Sequence, residues 1–214
     1  LARESRQDEN WMMLGSFPTF KLQKNDDQNL LEQSLTHLER NTNIKTIVFA
    51  NTYRHLFPTS GPNGFISKSY SNTEIENAVN EQNEVIKRLQ FYGKKIVFLV
   101  DNPTLPDPRD CIEGTMTSIP ILDRMLYRTA NASCSLSYKK HVQGTAAYQE
   151  FITSLAIRNP QLLIFNPTYL LCDIAIDICT YHKEKKFLYS YGDHISDYAN
   201  SLIAKELLPL IRSQ

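Results

Sequence analysis

The sequence has no apolar run long enough to cross a bilayer. Stretches such as Ile96 to Val100 fall far short of the roughly 20 residues that a spanning helix needs. Neither charge is in excess: 23 Lys+Arg stand against 23 Asp+Glu, for a formal net charge of zero. Nucleic-acid binders carry a basic surplus that neutralises phosphates, so no nucleic-acid partner is expected. Glycine is scarce, seven residues in 214, and with only ten prolines the chain is neither collagen-like nor of low complexity. No Cys-x-x-Cys pair occurs and no histidine stands at a zinc-site spacing, so no metal is expected. A Gly-rich phosphate loop is also missing, which argues against a nucleotide-binding flavodoxin-like protein. Leu1-Ala2-Arg3-Glu4-Ser5-Arg6 has neither an initiator Met nor a signal-peptide pattern. It reads as the end of a helix begun earlier, so a processed or truncated chain is expected.

What is present is 42% hydrophobic content, sufficient for the core of one domain over residues 1–214. Short apolar runs alternate with helical stripes. Trp11 to Leu14 reads as a strand ending at Gly15-Ser16, and Asp26 or Asp27 caps a helix through Leu30, Leu31, Leu35 and Leu38. Thr46 to Ala50 is a β-branched run of the kind buried in parallel sheets. Phe57 to Ser71 is loop, and Asn72 or Thr73 caps a long helix that Gly93 stops. Lys95 to Val100 is the clearest strand, followed by the proline-rich loop Asp101 to Asp110. A helix is expected over 119–130, irregular chain from Ala132 to Gly144, a helix from Ala146 to Ile157 and a strand from Gln161 to Phe165. Phe187 to Tyr189 reads as a last strand, and a final helix starts at Ser196 and is strained by Pro209. Alternating strands and helices predict an α/β fold, a three-layer α/β/α sandwich on a mostly parallel, flavodoxin-like sheet. Ligands bind such folds beyond the carboxyl ends of the strands, so chemistry is sought just past Ala50, Val100, Phe165 and Tyr189.

The four cysteines, Cys111, Cys134, Cys172 and Cys179, lie in irregular segments. Three pairings are open to them, and the sequence-local one joins Cys111 to Cys134 and Cys172 to Cys179; an oxidising compartment is expected. Among the five histidines, His37, His141 and His182 sit among polar residues and are expected at the surface. His55 and His194 each follow a strand end, and His194 directly precedes a helix that Ser196 can cap.

The segment Leu188 to Ser196, with its tyrosine-ending strand and His194 before Ile195-Ser196, resembles the carboxyl-terminal signature of SGNH-type (GDSL-like) esterases and acyltransferases. It is most similar to the extracytoplasmic SGNH domain of bacterial membrane O-acyltransferases. Gly93 to Pro103, Asp107 to Cys111, Leu163 to Pro167 and Leu171-Cys172 with Cys179 resemble that family's central strand, proline loop, last long strand and paired cysteines. Ile47 to Leu56 resembles its strand leading into an aromatic, here Tyr53. The resemblance implies a catalytic His194 and no cofactor, and Asn51, just past the strand Thr46 to Ala50, is placed either to donate its side-chain amide to an oxyanion or to satisfy loop backbone groups. It implies an acyl donor and a carbohydrate acceptor as partners, a membrane-embedded acyltransferase domain in the intact protein, and a periplasmic or extracytoplasmic location tethered to the inner membrane.

Two departures from the family pattern matter. No Gly-Asp-Ser turn occurs, so the nucleophile is either Ser16, with the Asp deleted, or a serine upstream of this chain, together with the fold's first strand. Tyr191 stands where the family has its catalytic Asp, so either the adjacent Asp193 substitutes for that acid or a Ser-His dyad runs with a carbonyl or Tyr191 orienting the ring. Three functions stay open: an acyltransferase, most often of acetyl groups onto carbohydrate; a free-standing carbohydrate esterase; and a catalytically degenerate glycan-binding domain. Aromatics between Tyr53 and Tyr70 are candidates for stacking on sugars.

Overall fold

The computed structural model describes residues 27–106, 112–113, 129–130, 135–184, 186–191 and 193–213. Three strands, β1 (Thr46–Ala50), β2 (Lys95–Leu99) and β3 (Leu163–Phe165), form a parallel sheet in the order β1-β2-β3. Their register pairs Phe49 with Phe98 and Phe98 with Ile164. Alternation along β2 sorts the core between the two faces of the sheet. Ile96 and Phe98 face a cluster with Leu35, Ile75, Val79, Ile86, Phe151 and Leu155. Val97 faces the other way, onto Ile203 and Leu207. Helices α1 (Asp27–Arg40), α2 (Asn72–Phe91) and α4 (Ala146–Arg158) therefore cover one face, and α6 (Asp197–Arg212) covers the other. The sandwich expected from the alternating pattern is the one observed.

The helix ends have identifiable causes. Ser71, one residue before the predicted cap, starts α2 with a reciprocal capping box in which Ser71 Oγ accepts from Glu74 N and Glu74 Oε2 accepts from Ser71 N. Gly93 ends it at φ +72°, as predicted. Pro209 does not stop α6, which continues to Arg212. Lys95 Nζ reaches across and donates to the carbonyls of Leu210 and Ile211 at 2.8 and 3.2 Å, satisfying the end groups of that last turn.

Other expectations fail for equally local reasons. The segment expected to be irregular up to Gly144 contains α3 (Tyr138–Gly144), started by Ser137 Oγ accepting from Lys140 N. The loop 57–71 contains a short antiparallel pair, Thr59–Ser60 with Phe65–Ile66. Of the helix expected over 119–130, only 129–130 are described, and they pair as a strand with Ile112–Glu113. The last predicted strand is not a fourth parallel one. Lys186–Phe187 pairs with His182–Lys183, whereas β4 (Tyr189–Tyr191) pairs antiparallel with β5 (His194–Ile195). Trp11 to Leu14 lies outside the described residues.

Cys172 and Cys179 are bonded, as the sequence-local pairing predicted, and close a loop of sequence separation 7. Cys111 and Cys134 lie outside the described residues. The bonded pair joins α5 (Thr168–Leu171) to a strand residue that exchanges hydrogen bonds with Leu136 at 2.7 and 3.0 Å. It packs in the cluster of Leu105, Tyr181, Leu188 and Tyr189, below the segment that carries His194.

His37 and His182 are exposed, as expected, but His141 is not: it is 3% exposed, turned into the core by α3. Its Nδ1 has no hydrogen-bond partner, and burial lowers its pKa from 6.5 to about 4. The unfolded chain therefore takes up a proton below pH 6.5 that the folded protein refuses until about pH 4. This group's stabilisation is complete above that window, is lost as pH falls through it, and changes no further below it. The full loss is on the order of 3 kcal/mol. Urea denaturation at about pH 7 and about pH 4.5 is expected to show a smaller difference in His141→Phe than in the native sequence. Equal differences would contradict the assignment.

Candidate functional site

Three chain segments meet at the carboxyl edge of the sheet. The first leaves β1 as Asn51-Thr52 and enters a single 3₁₀ turn, Tyr53–His55. The second leaves β2 as Asp101-Asn102-Pro103, and the third is the β4–β5 hairpin that carries Asp193 and His194. Beneath them lies a layer of buried tyrosines whose hydroxyls find backbone or hydroxyl partners. Tyr53 donates to Gly64 O at 2.7 Å and Tyr189 to Pro103 O at 2.8 Å; Tyr181 donates to Pro106 O. Tyr148 Oη accepts from Asp101 N at 3.1 Å, and its ring stacks on Tyr53 with centroids 5.2 Å apart. Burial pushes the Tyr53, Tyr148 and Tyr189 hydroxyls above the ordinary phenol range. These groups act as neutral struts rather than as bases.

Gly64 belongs to this layer for a geometric reason. It sits at φ +60°, and a Cβ there would lie 2.8 Å from Thr104 Oγ1 and 2.9 Å from Tyr53 Oη. Any side chain at this position would push apart the two segments that leave β1 and β2.

The aromatics expected to meet sugars are mostly part of this support. Tyr53 and Phe57 are 0% and 1% exposed. Phe57 packs edge-on to Tyr70 at 5.0 Å. Their faces are used by the core and are not open to a ligand.

The His194 side chain is 59% exposed, on the strand residue whose backbone partner is Tyr191. Asp193 Oδ1 lies 3.7 Å from His194 Nε2, beyond hydrogen-bond length. The other oxygen of Asp193 is held in an ion pair by Arg54, whose two side chains are 25% and 31% exposed. Arg54 is itself fixed: its Nε donates to Thr52 Oγ1 at 3.2 Å, and its guanidinium lies 5.8 Å from the centre of the Tyr53 ring. The hairpin is thus joined to the segment that follows Asn51 by a charge pair that the sequence reading did not include. Arg54 gives no periodic or motif signal, since its partner lies far away in sequence.

A second tie comes from β2. Asn102 Nδ2 donates to Asp193 O at 3.0 Å and to Pro103 O at 3.1 Å. Asp101 keeps some solvent contact as a residue, but its carboxyl group is enclosed by protein. It accepts from Tyr53 N at 3.2 Å and Asn102 N at 3.0 Å. Desolvation pushes this carboxyl up from its usual range, against the opposing pull of Thr52, Arg54 and the two amides.

Asn51, partly exposed, directly follows β1 on this same edge. Ser16, the weak nucleophile candidate, lies outside the described residues, as does the Tyr191 side chain. Among the described residues, no group of His, Cys, Asp and Glu is arranged to hold a metal ion. Also among them, no helix is long and apolar enough to cross a membrane.

The arrangement is an accessible imidazole on a hairpin whose Asp193 is tied to the segments that leave β1 and β2, at the edge where open α/β sheets hold their ligands. No curated protein matches the sequence. The family of SGNH domains fused to AT3 domains matches residues 10–209. That span includes all three segments of the site and nearly the whole chain, so the protein belongs to this family of acyltransferase-associated SGNH domains.

Proposed function

We propose that the chain is the SGNH domain of an O-acyltransferase that moves an acyl group, most often acetyl, onto a carbohydrate hydroxyl by Ser-His chemistry. The observation that carries this reading is the exposed His194 imidazole at the carboxyl edge, on a hairpin tied by Asp193 to the segment following Asn51. Membership of a family fused to AT3 domains supports a membrane acyltransferase domain as the source of the acyl group in the intact protein. The Cys172–Cys179 bond supports an extracytoplasmic, periplasmic setting.

In the proposed cycle the nucleophilic serine comes from outside this chain. His194 takes the proton of its hydroxyl as the oxygen attacks the acyl carbonyl, and returns that proton to the departing group. The Asn51 side-chain amide donates to the oxyanion that forms on the carbonyl oxygen. A sugar hydroxyl then enters, loses its proton to His194, and attacks the acyl-serine. Collapse of the second tetrahedral species returns the proton to the serine and releases the sugar ester. Asp193 stabilises the imidazolium by charge alone, because its separation from Nε2 exceeds a hydrogen bond. No cofactor is needed, as every step is a proton transfer or an addition–elimination at the carbonyl.

The test is product analysis with the complete encoded protein, a mass-labelled acyl donor and a candidate glycan. Labelled glycan ester in excess of labelled free acid is expected. Free acid alone would identify a carbohydrate esterase. Glycan retained with neither product would identify a binding domain.

A further inference from the structure

We infer that Asp101 and Asn102 are positioning residues that hold the two reactive side chains in register with one another without touching substrate. The inference rests on the roles proposed above for Asn51 and His194 and names the parts that align them. Asp101 grips the turn that follows Asn51: its carboxyl accepts from Tyr53 N at 3.2 Å. Asn102 grips the residue that directly precedes His194: its amide donates to Asp193 O. The two grips are joined by one peptide unit, and Asn102 N donates to Asp101 Oδ1 across it. The joint cannot drift with the loop, because Tyr148 Oη accepts from Asp101 N while Pro103 O accepts from Tyr189 Oη. The imidazole and the amide are contributed by segments about 140 residues apart in sequence, and this dipeptide at the end of the central strand ties them together alongside the Arg54–Asp193 ion pair.

Such a brace has a signature that ordinary loop stitching lacks. Misplacing a catalytic group by about 1 Å costs up to roughly 100-fold in rate, because the near-attack geometry is lost while substrate binding elsewhere survives. In the complete encoded protein, Asn102→Ala is expected to lower kcat by roughly 10- to 100-fold with KM held within about two-fold. Its Tm should stay within roughly 5 °C of the native value. Asp101→Asn, which keeps the shape but replaces one acceptor with a donor, should give a fall of the same order. In the chain itself, the His194 imidazole NMR resonances should shift or broaden in Asn102→Ala, while those of exposed His182 stay in place. Native kcat, or an unchanged His194 signal, in a folded Asn102→Ala protein would overturn the inference. So would a kcat loss accompanied by a collapse in Tm, which would mark Asn102 as merely structural. If Asp101→Asn does not fold, Asn102→Ala decides alone. Failure of the underlying reading looks different: His194→Ala would then keep its activity whatever the Asn102 variant does.

Discussion

His194→Ala in the complete encoded protein is expected to lower acyl transfer by roughly 10²- to 10⁴-fold, the range over which a positioned general acid–base contributes. The loss should fall on kcat, because in the proposed cycle the imidazole moves protons in both halves and contributes little to binding either substrate. The fold should be untouched. His194 is exposed and outside the core clusters, so the variant should melt within roughly 5 °C of the native protein. Rates measured across acceptor concentrations separate these outcomes. An unchanged kcat would remove the imidazole from the mechanism.

The second large effect is expected at Asn51. Removing one oxyanion donor typically costs about 10²- to 10³-fold in kcat, and Asn51→Ala should fall in that range. Asn51→Asp should be at least as damaging, since it sets a carboxylate against developing negative charge. The pair of variants separates a donor from a residue that merely shapes the loop: a loop role predicts that Asp, nearly isosteric with Asn, restores activity. Steady-state kinetics of both variants beside the native protein make the distinction, and activity near native in Asn51→Asp would refute the oxyanion role.

Much of the scaffold is written in short-range sequence. Thr46 to Ala50 and Lys95 to Val100 show themselves as β-branched or aliphatic runs, and they became neighbouring parallel strands. Gly93 ends α2 because it tolerates positive φ, and Ser196 caps α6 by accepting from Ala199 N at 3.1 Å. Each of these signals acts within a few residues of where it is read.

The expectations that failed depend on partners from elsewhere in the chain. Pro209 looks like a helix stop, yet α6 continues to Arg212, and the amino group of Lys95, 115 residues away from Leu210, caps the carbonyls of its last turn. His141, flanked by lysines, looks like a surface residue until α3 turns it inward. Phe187 to Tyr189 has the composition of a buried strand, yet the chain divides it between two antiparallel hairpins.

The site follows the same rule. Strand ends pointed to the carboxyl edge and to Asn51, and a family resemblance pointed to His194. Arg54, Asp101 and Asn102 were missed because each acts through a tertiary contact. Asn102 meets Asp193 across 91 residues and Asp101 meets Tyr53 across 48. A charged or amide residue just past a strand end was the available signal, and Asp101-Asn102 carried it within a segment read only as a proline loop. Tyr191 at the family's acid position was visible in the sequence. What the sequence could not give is the division of Asp193 between Arg54 and His194.

In the proposed cycle His194 activates a serine nucleophile. The most direct measurement is covalent labelling of the complete encoded protein with a fluorophosphonate, followed by peptide mapping, in the native sequence and in His194→Ala. One modified serine in the native protein, with its labelling abolished or slowed by roughly 100-fold or more in the variant, is the predicted result. Labelling at the same rate in both, or no labelled serine in either, would contradict it.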